Sequence, residues 1–389
     1  MMQPGKRTQY FGGLETSFGV PPSIAATHAI RVINAKLDGD PKNRVYSPEK
    51  KNGPGRYARF DRRETAGFSM EALLRPSGTL NTVPECSDFL EAAFGAKNNI
   101  TLSTTVTASP APTVNGCTVG AVTGLVAMKS GVQIACPDGK LRLRRVTSIS
   151  TLAITWAPAL PTGQEPATAA AIKGVNCYYL TAANAKSIWL ASYAFQADFT
   201  AGLSELLKGG MVDRLSMSFD FQDEPRFSVS GPGTTRTAAA AHPGAFTQVG
   251  TNPPNALTSE CLVGANALKY MKIGCEITNG IKLRDDEINA TAATEGYRMG
   301  DRDISIGFDL KHENGDKTHL YDLAIAGTNA SLFKQTGFTS GKIIALYAPN
   351  VEWSAPTVDV GDGPVSLPMK GMALEGTEDA NDELVLMLG

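Results

Sequence analysis

The stretch "MVDRLSMSFDFQDEPRFSVSG", residues 211 to 231, places Leu215, Met217, Phe219 and Phe221 at every second position, with Ser216, Ser218 and Asp220 between them. After a turn at Gln222 to Pro225 the alternation resumes with Phe227 and Val229. Successive side chains of a strand point to opposite faces, so a period of two separates an apolar face from a polar one and predicts a half-buried β-hairpin.

Comparable alternations recur along the chain. Phe68, Met70, Ala72 and Leu74 form one set, Met271, Ile273, Cys275 and Ile277 another, and Ile304, Ile306, Phe308 and Leu310 a third. "KIIALYAPNVEW", "PVSLPMKGMALEG" and "DELVLML" are further strand candidates, with turn chemistry at Asn279-Gly280, Gly361-Asp362-Gly363 and Asn381-Asp382. Helical signals are few. "VPECSDFLEAAFGA" predicts a helix with Pro84 as an early residue and Gly95 as its terminator, and short helices are expected over Thr318 to Ala326 and Ala201 to Lys208. The fold class is therefore mainly β.

With 389 residues, 42% of them hydrophobic, the chain can bury a sizeable core. Residues 99–178 read as a separate unit, because short strands at Val132 to Ala135, Leu141 to Val146 and Leu152 to Trp156 follow one another closely between Thr/Ser/Pro-rich flanks. The expected division is 1–98 and 179–389 as two parts of a larger domain, with a small β-barrel or sandwich inserted at 99–178.

The formal net charge of -2 excludes bulk attraction to nucleic acid or anionic membrane as the main activity. No apolar run is long enough for a membrane-spanning helix, and the N-terminus lacks the pattern of a signal peptide. The six cysteines are scattered without a C-x-x-C pair, which predicts reduced, buried side chains rather than a disulfide frame or zinc site.

Catalytic signatures do not emerge. The four histidines stand apart from any nucleophile motif, and "GFTSGK" at 337–342 has too few residues for a phosphate loop, with Ile343 where a magnesium-binding hydroxyl belongs. It reads as a turn into the strand "IIALY". The acidic clusters "RDDE" and "GDRD" lack the spacing of a calcium loop. No enzyme, cofactor or metal is expected.

One segment departs from the even charge. Lys36 to Glu64 holds nine Lys or Arg and five Asp or Glu with little periodicity. A loop of that length in a compact domain is solvated or ordered by a partner, and the aromatic and arginine content of "GPGRYARFDRRE" favours the partner.

Taken in order, "LETSFGVPPS", "RRETAGFSMEALLRPSG" to "FLEAAFG", the hairpin, "CEITNGIKLRDDEI", "EGYRMGDRDISIGFDL" and the ending from "TSGKIIALYAPNVEW" to "DELVLML" resemble the tail tube proteins of long-tailed bacteriophages. The resemblance covers most of the chain outside the inserted unit and rests on the order of the blocks. It implies a β-sandwich with a flanking helix whose copies close into rings, commonly of six, with the inner sheets merging into one barrel. Stacked rings would form the hollow tail through which double-stranded DNA passes without sequence-specific binding. Partners would be further copies of the chain and other tail proteins (terminator, initiator or baseplate, and a sheath where there is one), in a virion tail assembled in the host cytoplasm.

On this reading Ser216, Ser218, Asp220, Ser228 and Ser230 face the channel and offer no cations to hold phosphates. Arg56, Tyr57, Arg59, Arg62 and Arg63 contact the next ring, opposite the acidic stretch "EGTEDANDE", and small inserted β-domains decorate the tube's outside. Two fused tube folds in trimeric rings are an alternative stoichiometry. An adhesive, carbohydrate-binding β-sandwich is a second class of reading, although tryptophan is scarce, and a tail terminator or minor tail protein of related fold is a third.

Overall fold

The computed structural model describes residues 8–40, 44–46, 59–182, 186–194, 204–239, 241–244, 251–255, 258–284, 286–287, 292–311, 316–355, 366–377 and 380–389. Strands dominate. The widest layer contains seven: β1 (Asn34–Asp40), β2 (Thr65–Leu73), β3 (Arg214–Asp220), β4 (Arg226–Gly233), β5 (Tyr270–Thr278), β6 (Asp303–Lys311) and β7 (Ser366–Leu374). They run antiparallel in the spatial order β1-β2-β4-β3-β5-β6-β7.

The period-two reading of the sequence holds through this layer. Leu215, Met217, Phe219, Phe227 and Val229 are each no more than 2% exposed, and Phe68, Met70, Ile273, Cys275, Ile304, Ile306 and Phe308 join them in one core. Each large apolar side chain buried this way stabilises the fold by about 1.5–3 kcal/mol. Phe221 is the exception. The strand ends at Asp220, the chain bends, and the ring is half exposed in the turn that carries Asp223 and Glu224.

A second layer closes the core. It comprises Ala330–Thr336, Ile344–Trp353, Val385–Leu388, the second half of Ala171–Leu180 and Gly95–Asn99. Ile344–Trp353 joins the two layers, pairing with Val385–Leu388 through its first half and with β7 through Asn350 to Trp353. A smaller sheet of Thr8–Leu14, Ser187–Ala194, Ser204–Met211, Thr235–Thr237 and Ala29–Ile30 packs at the side. The Ser204–Met211 strand corrects the helix expected over Ala201 to Lys208. Pairing with Ser187–Ala194 on one edge and Thr235–Thr237 on the other overrides the helical spacing of its leucines.

Helix α1 (Ser87–Phe94) buries Phe89, Leu90, Ala93 and Phe94 in the main core. It starts later than expected, with Pro84 outside it in a turn whose carbonyl accepts the Ser87 N–H at 3.0 Å. Gly95 ends it at a φ of 105°, a region glycine enters freely, and a Cβ there would meet Thr181 Oγ1 at 2.5 Å. Helix α2 (Asp316–Ala326) covers the segment expected to be helical and sets Leu323 and Ala324 against the core. The "GFTSGK" segment is a turn, with Lys342 N–H donating to the Thr339 carbonyl at 3.0 Å.

Within 99–178, Val119, Val132, Ile134, Val146, Ile154, Trp156 and Ile172 form a core of their own. Ala171–Leu180 runs out of this unit into the second layer, pairing first with Gly131–Ala135 and then with Val385–Leu388. The join is polar and buried. Gln335 Oε1 accepts the Leu143 N–H at 2.9 Å, Arg144 pairs with Glu260 at 3.2 Å, and Arg145 donates to the Asp382 carbonyl at 3.2 Å.

Candidate functional site: the polar face of the wide sheet

Parity along a strand decides the face, and register decides the neighbour. Ser216 of β3 stands opposite Ser228 of β4 on one side and Glu276 of β5 on the other, Ser218 opposite Arg226 and Gly274, and Asp220 opposite Lys272. Ser228 and Ser230 stand opposite Glu71 and Ser69 of β2. The five residues singled out in the hairpin therefore share one half-exposed face.

This face extends well beyond the hairpin. The row Asn34, Glu71, Ser228, Ser216, Glu276, Ser305, Met372 crosses every strand of the layer. With strands about 4.8 Å apart it is about 29 Å wide. Gly274 and Gly307 lie opposite each other in the next row. A Cβ on Gly307 would meet nothing within 4 Å, and the nearest atom to one on Gly274 is Met217 O at 3.9 Å. Neither glycine is required by packing inside the chain, and together they thin the sheet there.

The five residues themselves offer no cations, but the face that they share carries some. Arg214 has the parity of Ser216 and Arg226 that of Ser228, so the alternation already contained them. Both have acidic company. Arg214 bonds Glu276 at 2.6 Å, diagonally across the boundary of β3 and β5, and that hydrogen bond raises the guanidinium's pKa further. Arg226 lies 3.6 Å from Glu71 and 3.5 Å from Asp223, and Lys36 lies 2.7 Å from Asp38. Register is what the sequence alone lacked, since Glu71 and Glu276 are distant in the chain from their arginines.

The basic segment is more ordered than a loop. β1 and β2 pair from Asn34 opposite Glu71 to Asp40 opposite Thr65, and Arg44–Tyr46 pairs with Arg59–Asp61 farther out. β1 sends Leu37 into the main core, but its other residues are polar or small, so the segment carries little apolar period. Arg59 stands opposite Tyr46 in that outer pair, Arg62 is exposed, and the Arg63 guanidinium donates to the Glu287 carbonyl within the chain. Arg56 and Tyr57 lie outside the described residues.

The acidic C-terminal stretch is largely engaged internally. Asp382 is buried and accepts the Gly376 N–H at 2.7 Å, Glu375 accepts the Asn381 N–H at 2.9 Å, and Glu383 lies 3.9 Å from Arg302. Glu378 and Asp379 lie outside the described residues. The six cysteines are free and buried. Burial pushes the thiols of Cys86, Cys117, Cys177, Cys261 and Cys275 up to about 12, which leaves them protonated and inert. Among the described residues no cluster of His, Cys, Asp and Glu could hold a metal ion.

No curated protein matches the chain. A family model described as phage tail tube protein matches residues 5–373.

Proposed function

We propose that this chain, which belongs to the phage tail tube protein family, polymerises as stacked rings into a hollow tube with the wide sheet turned toward the channel. Its role is structural. The observation that carries this reading is the sheet itself, with one face in the core and the other mainly polar from β1 to β6, Met372 of β7 being exposed at its end. A channel wall must stay hydrated, and an open sheet whose outer strand β1 pairs on one edge only among the described residues gains by joining a neighbour. A head-to-tail contact whose rotation closes gives a ring. On this arrangement Ser216, Ser218, Asp220, Ser228 and Ser230 line the conduit for the genome, and six copies per ring is the preferred count over three.

The paired strands beyond β1 and β2 form the arm that reaches the next ring, with Arg56, Tyr57, Arg59 and Arg62 as its contacts. Arg63 serves instead to fasten the arm's base through Glu287. The unit at 99–178 decorates the outside. Terminator and initiator proteins cap the two ends of the tube, which is assembled in the host cytoplasm and resides in the virion tail.

Negative-stain electron microscopy of the purified protein at rising concentration tests the reading. Hollow rings or filaments with a stain-filled centre are expected. Monomers at every concentration, even with a tail-initiation complex supplied, would instead favour an adhesive β-sandwich.

A further inference from the structure

Resting on the channel reading, we propose that Glu276 and Glu71 act as neutralising residues: held across strand boundaries from Arg214 and Arg226, they keep these guanidinium groups off the phosphates of passing duplex DNA. A guanidinium fork fits phosphate as well as it fits carboxylate, so bare arginines on a conduit wall would hold the cargo. Repeated around each ring and along each stack, even one such contact per subunit multiplies into retention.

The geometry removes that contact without removing the arginines. Arg214 is 59% exposed and reaches the open face, yet its guanidinium is bonded to Glu276 at 2.6 Å. Arg226 lies between two carboxylates, Glu71 at 3.6 Å and Asp223 at 3.5 Å. Lys36 has Asp38 at 2.7 Å, and Lys272 stands in register between Asp220 and Asp309. The carboxylates are tethered in the same sheet, so a phosphate gains little by displacing them. A bonded pair on a polar wall also holds adjacent strands together. The wall is thereby stiff, wet and without free positive charge at these arginines.

The test uses tubes assembled from full-length protein and a short duplex DNA that is pelleted with them at low salt. Wild-type tubes retain little DNA. Glu276→Gln leaves Arg214 uncompensated and is expected to raise retention on the order of tenfold at about 50 mM salt, falling back by about 200 mM, because phosphate contacts are salt-dependent. The double variant Arg214→Gln with Glu276→Gln restores wild-type behaviour, which a merely structural pair would not do. The retained DNA is expected to resist added nuclease.

Assembled Glu276→Gln tubes that retain no extra DNA overturn the neutralising role and leave the channel reading intact. Extra DNA that nuclease digests places the face on the outside and overturns the channel reading. If Glu276→Gln fails to assemble, Glu71→Gln combined with Asp223→Asn asks the same question at Arg226, whose two carboxylates must both be removed.

Discussion

Asn279 donates its side-chain amide to the carbonyl of Ala93 at 3.0 Å, joining the turn after β5 to the last turn of α1. The same Nδ2 donates to Val212 O at 3.1 Å, and Oδ1 accepts from Arg302 Nε at 3.3 Å. Asn279 is fully buried. Its backbone N–H also meets the Asp213 carbonyl at 2.7 Å, so one residue fixes the helix against the wide sheet.

Asn279→Ala strands the Ala93 and Val212 carbonyls in the core. The expected loss is about 2–4 kcal/mol, from two buried acceptors left without a donor. Thermal or denaturant unfolding measures it, and Asn279→Asp is no rescue because it removes both donated hydrogens.

Glycines on and under the polar face differ in a way that unfolding experiments can read. Gly307 has open space where a Cβ would stand, so Gly307→Ala is expected to leave stability unchanged or raise it by about 0.5–1 kcal/mol. A Cβ on Gly231 would meet Met211 O at 1.9 Å, so Gly231→Ala destabilises through backbone displacement. Gly307→Trp keeps the fold and projects an indole from the same face. On the channel reading, DNA passage through assembled tubes is then expected to slow, while tube length stays as in wild type.

Lys334 gives a pH signature. It stands opposite Cys261 in its strand pair, wholly buried, with its ammonium over the Tyr270 ring at 4.5 Å and donating to Gln335 O at 3.2 Å. Burial pushes its pKa down to about 7 from an ordinary value of 10.5. Above pH 7 the unfolded chain keeps a proton that the folded chain releases, so stability rises with pH through the window from about 7 to 10.5, by at most about 1.4 kcal/mol per unit. Lys334→Met removes this slope and raises the melting temperature at pH 7. An unchanged slope in the variant would show that another group carries it.

The join between 99–178 and the rest depends on Glu260. Its carboxylate lies 3.2 Å from Arg144 and 3.5 Å from Arg142, and the Arg144 guanidinium lies over the Phe333 ring at 4.5 Å. Glu260→Gln leaves Arg144 charged in a dry site, with a loss of about 3–5 kcal/mol. Limited proteolysis should cut first within 99–178 in this variant, and cleavage at the same sites and rates as wild type would contradict the role given to the pair.

Parity carried the sequence reading furthest. Leu215, Met217, Phe219, Phe227 and Val229 went to the core and Ser216, Ser218, Asp220, Ser228 and Ser230 to the opposite face because a strand allows no other division. Arg214 and Arg226 were legible by the same rule, but their acidic partners were not, since register between distant strands leaves no local trace. The arginines of "RLRR" look like surface residues in the sequence, and they are buried only because Glu260 and Asp382 arrive from 116 and 237 positions away. The basic segment reads as a loop because the strands within it carry few apolar residues, Leu37, Val45 and Phe60 among them.

The decisive property is which way the wide sheet faces in the assembled tube. A cryo-EM map of tubes grown from the purified chain decides it at the level of side chains. The predicted result places Ser216, Ser228 and the Arg214–Glu276 pair on the wall of a continuous central channel, with 99–178 outside. A map in which that row is buried between subunits, or turned to the outer surface, would contradict the account.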